Sequence, residues 1–150
     1  MAMSEVTSPT SATPADPLNA GREALARHSW PEAYELLSDA DHAGALSGAD
    51  LEALALAAFF AAHADIELDV KERAFKAHLT EGDEIRAAYL AIDVARAYGY
   101  TGKHSIAAGW LRRAEGILGT DGTTYAHGYL ALVRSEKAGQ AGDPFVGQQG

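Results

Sequence analysis

The stretch 83–100, DEIRAAYLAIDVARAYGY, constrains this chain more than any other. At 3.6 residues per turn, Ala87, Leu90, Ala91, Val94 and Tyr98 fall on one side of a helix, with Ile85, Ala88, Ile92 and Ala95 beside them. A helix apolar over so much of its surface has to be sandwiched between neighbours. The arc that remains carries Arg86, Tyr89, Asp93, Arg96 and Tyr100. One polar and aromatic stripe on a sandwiched helix is the pattern of an inner helix in a solenoid.

The other periodic segments have the same period. Helices are expected over about 18–28, 31–40, 51–63, 65–79, 103–118 and from Tyr125 to about residue 138. The fold class is therefore all-α, with about seven antiparallel helices. Alanine dominates an apolar content of 47%, and valine and isoleucine are scarce, which favours helices over strands and close helix approach.

Local signals place the helix ends. Ser29 followed by Glu32 reads as a capping box, with Pro31 in the first turn. Asp50 is expected to cap LEALALAAFFAAH, a segment apolar nearly all round and therefore expected to be buried. Asp65 opens the next helix, where Ile66, Val70, Ala74 and Ala77 face inward, flanked by Leu68, Phe75 and Leu79. Glu67–Lys71 and Glu72–Lys76 are spaced for pairs on the wet face. Ile106, Trp110, Ala114 and Ile117 are expected to form the inner face of the sixth helix, and Trp30 and Trp110 read as core anchors.

The segment 1–17, rich in Ser, Thr, Pro and Ala, buries too little to offset the entropy of ordering. It is expected to be a disordered tail, ahead of a helical domain over 18–138. The Gly-rich end, 139–150, is expected to be a flexible tail.

Composition narrows the function. A net charge of −9 repels phosphate backbones and argues against direct nucleic-acid binding by this segment. No apolar run approaches the ~18 residues of a membrane span, and residues 1–17 lack the pattern of a secretory signal. There is no cysteine, hence no disulfide and no thiolate metal site, which fits a cytoplasmic protein. No GxSxG, GxxxxGK[ST] or strand-linked GxGxxG is present, so no catalytic residue, enzymatic activity or cofactor is expected. Six histidines raise the rival of a small helical metal binder or enzyme using His63, His78, His104 or His127, with His78 approaching His63 or Asp65. No HExxH or comparable ligand spacing supports it, so no metal is expected.

The stripe Arg86, Tyr89, Asp93, Arg96, Tyr100 is the candidate partner-binding groove. Inner helices of repeat proteins line the concave surface, and Tyr and Arg often dominate interfaces. The other reading is a plain surface face in which Asp93 and Arg96 pair at i,i+3. A second candidate surface is Tyr125, Tyr129, Leu132 and Val133 on the last helix, for self-association as a homodimer.

SWPEAYELL, ADIELDVKERAF and KHSIAAGWLRRA align with Trp30, Ile66 and His104 in register, at spacings in the middle to upper thirties. That is near the tetratricopeptide period of about 34 residues, and the architecture expected is a TPR-like solenoid of helical hairpins. The consensus Gly-Tyr signature of the first helix is absent. The blocks GREALARHSWPEAYELL, ADIELDVKERAFKAHLTEGDEIRAAYLAIDVARAYGY, AAGWLRRAEGIL and YAHGYLAL, covering about 18–137, resemble the N-terminal helical repeats of actinobacterial LuxR-family transcriptional regulators. Similar repeats accompany some cyclase-type and ATPase-linked regulators. The resemblance implies a non-enzymatic interaction or sensor module with a protein or peptide partner, or a small effector. The family's DNA-binding helix-turn-helix has no counterpart in these residues, so DNA binding is carried to none of them. A gene fragment without activity of its own is the third, bland expectation.

Overall fold

The computed structural model describes residues 16–44 and 46–149, with side chains described through Gly139. Among the described residues there are seven helices and no strand. They are α1 (Pro17–Ala26), α2 (Trp30–Ala43), α3 (Gly48–Phe60), α4 (Ala64–Glu81), α5 (Glu84–Tyr100), α6 (His104–Leu118) and α7 (Tyr125–Gln149). The tail expected over 1–17 lies, as far as residue 15, outside the described residues; Asp16 and Pro17 already belong to the start of α1.

Each helix packs on the next, and α5 also touches α7. Turns of a few residues join the packed neighbours. One turn recurs four times. A residue in the left-handed region follows the helix, at His28 (φ 61), Ala62 (φ 68), Gly82 (φ 87) and Gly102 (φ 80). The next N–H then bonds back five residues: Ser29 to Ala24 (2.9 Å), His63 to Ala58 (2.7 Å), Asp83 to His78 (2.9 Å) and Lys103 to Tyr98 (2.9 Å). This closure satisfies the last carbonyls of a helix while reversing the chain. His28 and Ala62 hold the left-handed conformation despite a Cβ.

The core follows α5. Ala87, Ala88, Leu90, Ala91, Ile92, Val94 and Ala95 are all buried, against Leu54 of α3, Val70 and Ala74 of α4, Trp110 and Ala114 of α6, and Leu130 of α7. Trp110 meets Phe75 edge-on at 5.2 Å and is buried; Trp30 is half-buried, stacked on Phe60 at 4.5 Å. Of the inner face expected on α6, Trp110 and Ala114 are buried and Ile117 is half-buried, but Ile106 in the first turn is exposed. Leu79, near the end of α4, is exposed as well.

Several helix ends differ from the sequence expectation. Ser29 precedes α2, but its hydroxyl makes no capping bond, and Glu32 pairs with Arg27 at 3.0 Å instead. The carboxylates of Asp16 and Asp83 do reach back to an amide, each at 3.1 Å. α3 is capped by Ser47, not Asp50. Ser47 accepts the Asp50 N–H at 3.1 Å, and the Asp50 carboxylate is held by Arg22 of α1. α2 continues through the expected loop to Ala43, where Arg73 of α4 grips Asp41 by two hydrogen bonds of 2.8 and 2.7 Å. The backbone of α7 stays helical to Gln149, past Gly139, where the sequence places the helix end.

Candidate functional site

A groove of about 800 Å³ runs between α3 and α5, and all five residues of the α5 stripe line it. Arg86, Tyr89, Asp93, Arg96 and Tyr100 recur at three, four, three and four residues, which keeps them on one face. At 1.5 Å per residue that face is about 21 Å long.

The opposite wall is α3, and here the sequence expectation needs correction. α3 is apolar nearly all round, yet it is not buried all round: Leu56, Phe59 and Phe60 are 45%, 54% and 52% exposed. Leu51, Leu54, Ala55, Ala57 and Ala58 face the core, and Leu56, Phe59 and Phe60 face the groove. With Tyr100, 67% exposed on the other wall, they form an apolar end of the groove near the C-termini of α3 and α5.

The other end is ionic. Glu52 of α3 takes a bidentate pair from Arg86, through Nε at 2.8 Å and through Nη2, and also bonds His78 Nε2 at 2.7 Å. Burial raises the Glu52 pKa, but the hydrogen bonds from Arg86 and His78 outweigh it, and the group ends below the ordinary carboxylate value. The Arg86 guanidinium lies over the Tyr89 ring at 4.5 Å. In the middle, Lys71 of α4 bridges Glu67 (2.7 Å) and Asp93 (2.6 Å). Burial works against the Lys71 charge, but those two hydrogen bonds outweigh it and hold the pKa above the usual lysine value.

The third section ties α5 to α7. Arg96 makes a bidentate pair with Glu136 at 3.0 and 2.7 Å. Tyr129 donates to Asp93 at 2.8 Å, and Tyr89 packs on Tyr129 and Tyr125 with ring centres 4.9 and 5.6 Å apart. Burial and the Asp93 charge raise the Tyr129 pKa, so the phenol stays protonated as donor. The i,i+3 pair expected between Asp93 and Arg96 is replaced by these partners. Glu72, spaced for Lys76, instead accepts the Tyr98 hydroxyl at 2.7 Å.

The second candidate surface divides. Val133 is buried and Tyr129 half-buried against α5, whereas Tyr125 and Leu132 are 54% and 52% exposed. Tyr125 and Leu132 lie seven residues apart, on one side of α7.

The histidines do not assemble. His63 precedes α4 and His78 is in its last turn, so about 22 Å separates them along the helix. His63 stacks on Tyr34 with ring centres 4.2 Å apart, and His127 bonds the Thr124 hydroxyl (2.7 Å) and the Leu118 carbonyl (3.1 Å). His104 begins α6 and is exposed. Among the described residues no three His, Asp or Glu side chains cluster as metal ligands.

Lys71, Arg86 and Arg96 thus stand against Glu52, Glu67 and Asp93 in the lining, leaving the groove close to neutral in a chain of net charge −9. Such a surface can bury apolar side chains at one end and exchange hydrogen bonds at the other. Of the other lining residues, Lys71 is legible in the sequence only as the wet-face partner of Glu67, and nothing there marks Glu52. The signal for Leu56, Phe59 and Phe60 is the excess of apolar residues in 51–60 over what a single packed face requires. No helix among the described residues is long and apolar enough to cross a membrane. No family model, no curated protein and no solved structure matches the chain.

Proposed function

We propose that this chain is a non-enzymatic, TPR-like interaction module that binds a peptide segment of a partner protein in the α3/α5 groove. The observation that carries the reading is the meeting, in one groove, of the α5 stripe with the exposed Leu56, Phe59 and Phe60 of α3. An exposed apolar patch rimmed by polar groups is a common mark of an interaction site. A face about 21 Å long matches an extended peptide of roughly six residues or a helix of about four turns. The recurrence of one turn after α1, α3, α4 and α5 supports a regular array of short-turned helices, with α3 and α5 in the inner row. In this reading the module acts in the cytoplasm, as the regulatory part of a LuxR-type transcriptional regulator acts apart from its DNA-binding domain. A small effector is the second reading, favoured by a volume inside the usual range of ligand pockets.

Selection of a displayed random-peptide library on the full chain tests the proposal. Selected peptides should share apolar anchors and lose at least tenfold in affinity for Phe59→Ser. Peptides that bind wild type and Phe59→Ser alike would place recognition elsewhere. Failure of every peptide, together with a thermal shift by a small-molecule set that Phe59→Ser abolishes, would favour the effector.

A further inference from the structure

Among the described residues, the buried polar side-chain atom that lacks a hydrogen-bond partner is Nδ1 of His78. The ring is 5% exposed and sits under the first residue of α3, so close that a Cβ on Gly48 would lie 2.6 Å from Nδ1. Nε2 meets Glu52 of α3 at 2.7 Å. On the other side, Nδ1 faces Oε1 of Glu81 at 3.7 Å, and the second oxygen of Glu81 accepts the Gly48 N–H at 2.8 Å. From α5 the charged neighbour is Arg86, whose Nε shares with His78 the same Glu52 oxygen, Oε2. Two nearby carboxylates are engaged elsewhere: Asp50 with Arg22 and Ser47, and Asp83 with the Arg86 N–H.

A neutral imidazole has a single N–H. An ionised Glu52 only accepts, so that hydrogen belongs on Nε2 and Nδ1 is left as a bare lone pair facing a carboxylate oxygen. A proton on Nδ1 turns that opposition into a donor–acceptor pair. Glu81 then closes by about 1 Å to normal hydrogen-bond distance, and its side chain, 42% exposed, has room to move. The same proton makes the bond to Glu52 charge-assisted and therefore stronger. It now competes with Arg86 for Oε2.

We propose that His78 is a proton-controlled switch on the groove, in which protonation at Nδ1 draws Glu81 onto the ring and loosens the hold of Glu52 on Arg86. Guanidinium donors are thereby released toward the groove when the ring takes up its second proton. The consequence for binding rests on the groove being the recognition surface; the coupling itself is a property of the free protein and is measured without any ligand.

The experiment is an NMR titration of the full chain from pH 8 to pH 5, following the His78 ring nitrogens, the Arg86 Nε–H and the Gly48 amide. The expected result is a common midpoint for all three, Nε2–H as the neutral tautomer, and severalfold faster exchange of the Arg86 Nε–H with water below that midpoint. In His78→Gln, the Arg86 and Gly48 signals should stop responding between pH 8 and 5. A His78 that titrates while Arg86 stays unchanged overturns the proposal. So does a His78 that does not titrate in this window, and so does an Arg86 response that survives in His78→Gln. The wild-type titration decides even where the variant folds poorly. Loss of peptide binding without loss of the common midpoint would count against the groove and not against the switch.

Discussion

Leu54 and Phe59 stand five residues apart on α3, and truncating each should distinguish the two faces of that helix. Leu54 is 2% exposed and packs in the core, so Leu54→Ala should cost about 3 kcal/mol as lost transfer energy plus a residual cavity. Phe59 is 54% exposed, with one edge-on ring contact to Phe60 at 5.0 Å. Full burial of such a side chain is worth up to about 3 kcal/mol, and roughly half of that surface is covered, so Phe59→Ala should cost about 1 kcal/mol. At about 4 °C per kcal/mol for a chain of this size, the expected drops in Tm are about 12 °C and about 4 °C. Thermal melts and urea titrations followed by circular dichroism measure both. The smaller side chain should therefore be the more destabilising loss, opposite to the order of the residues' sizes. Equal costs, or a larger cost for Phe59, would mean that the groove face of α3 is packed like core and would remove the surface on which the proposed recognition depends.

Ala62→Gly should raise stability by about 1 kcal/mol by relieving a left-handed Ala, and Gly102→Ala should lower it by a similar amount, both read from urea midpoints. Trp110→Ala should cost about 3–5 kcal/mol, because the ring is buried against Phe75 and under Arg113; a loss below about 1 kcal/mol in the same assay would contradict its place in the core. In acid, hydrogen bonding from Arg22 lowers the Asp50 pKa against the effect of burial, and Arg73 does the same for Asp41. The folded state then binds fewer protons than the unfolded one, so this stability is present above the ordinary carboxylate pKa of about 4 and is lost as pH falls through the depressed value. Asp50→Asn should flatten that part of a urea-midpoint profile between pH 6 and 2. Light scattering should show self-association through the exposed side of α7, abolished by Leu132→Glu; a monomeric wild type would end that idea, and Val133→Glu is no test of it because Val133 is buried against α5.

The helices themselves were legible because a 3.6-residue apolar period is a local property. The central helix was expected over 83–100 and is found at Glu84–Tyr100, capped by Asp83. Gly82 and Gly102 announced two of the four left-handed turns. Ala62 announced nothing, since alanine disfavours that conformation, and His28 gave only the weak signal of a residue type somewhat enriched there. The capping box at Ser29 and Glu32 had the right spacing, but Arg27, five residues before Glu32, competes for that carboxylate. Spacing also favoured Glu72–Lys76 and Asp93–Arg96, and both yielded to partners on other helices, Tyr98 for Glu72 and Lys71 and Tyr129 for Asp93.

The stripe on α5 could be drawn from the sequence because the residues of one helix face share a period. What stands opposite them could not. Glu52 and Arg86 are 34 residues apart, Arg96 and Glu136 are 40 apart, and nothing local in either partner marks the other. The pairs change what the stripe is for. On the sequence alone Arg96 and Tyr89 read as exposed residues of one helix face, which cost little stability when replaced. Arg96 is clamped to α7 through Glu136, and Tyr89 carries the weight of Tyr125, Tyr129 and the Arg86 guanidinium. Replacing either perturbs the seat of α7 as well as the groove, so lost binding in such a variant has two causes. The side chains that report on the groove with least else attached are Leu56 and Phe59 of α3, where an excess of apolar residues reads in the sequence as deep burial. A helix apolar on every side needs cover on every side, and in this fold Leu56, Phe59 and Phe60 are left about half exposed, Phe60 even with Trp30 stacked on it. That missing cover is the strongest physical reason to expect a partner.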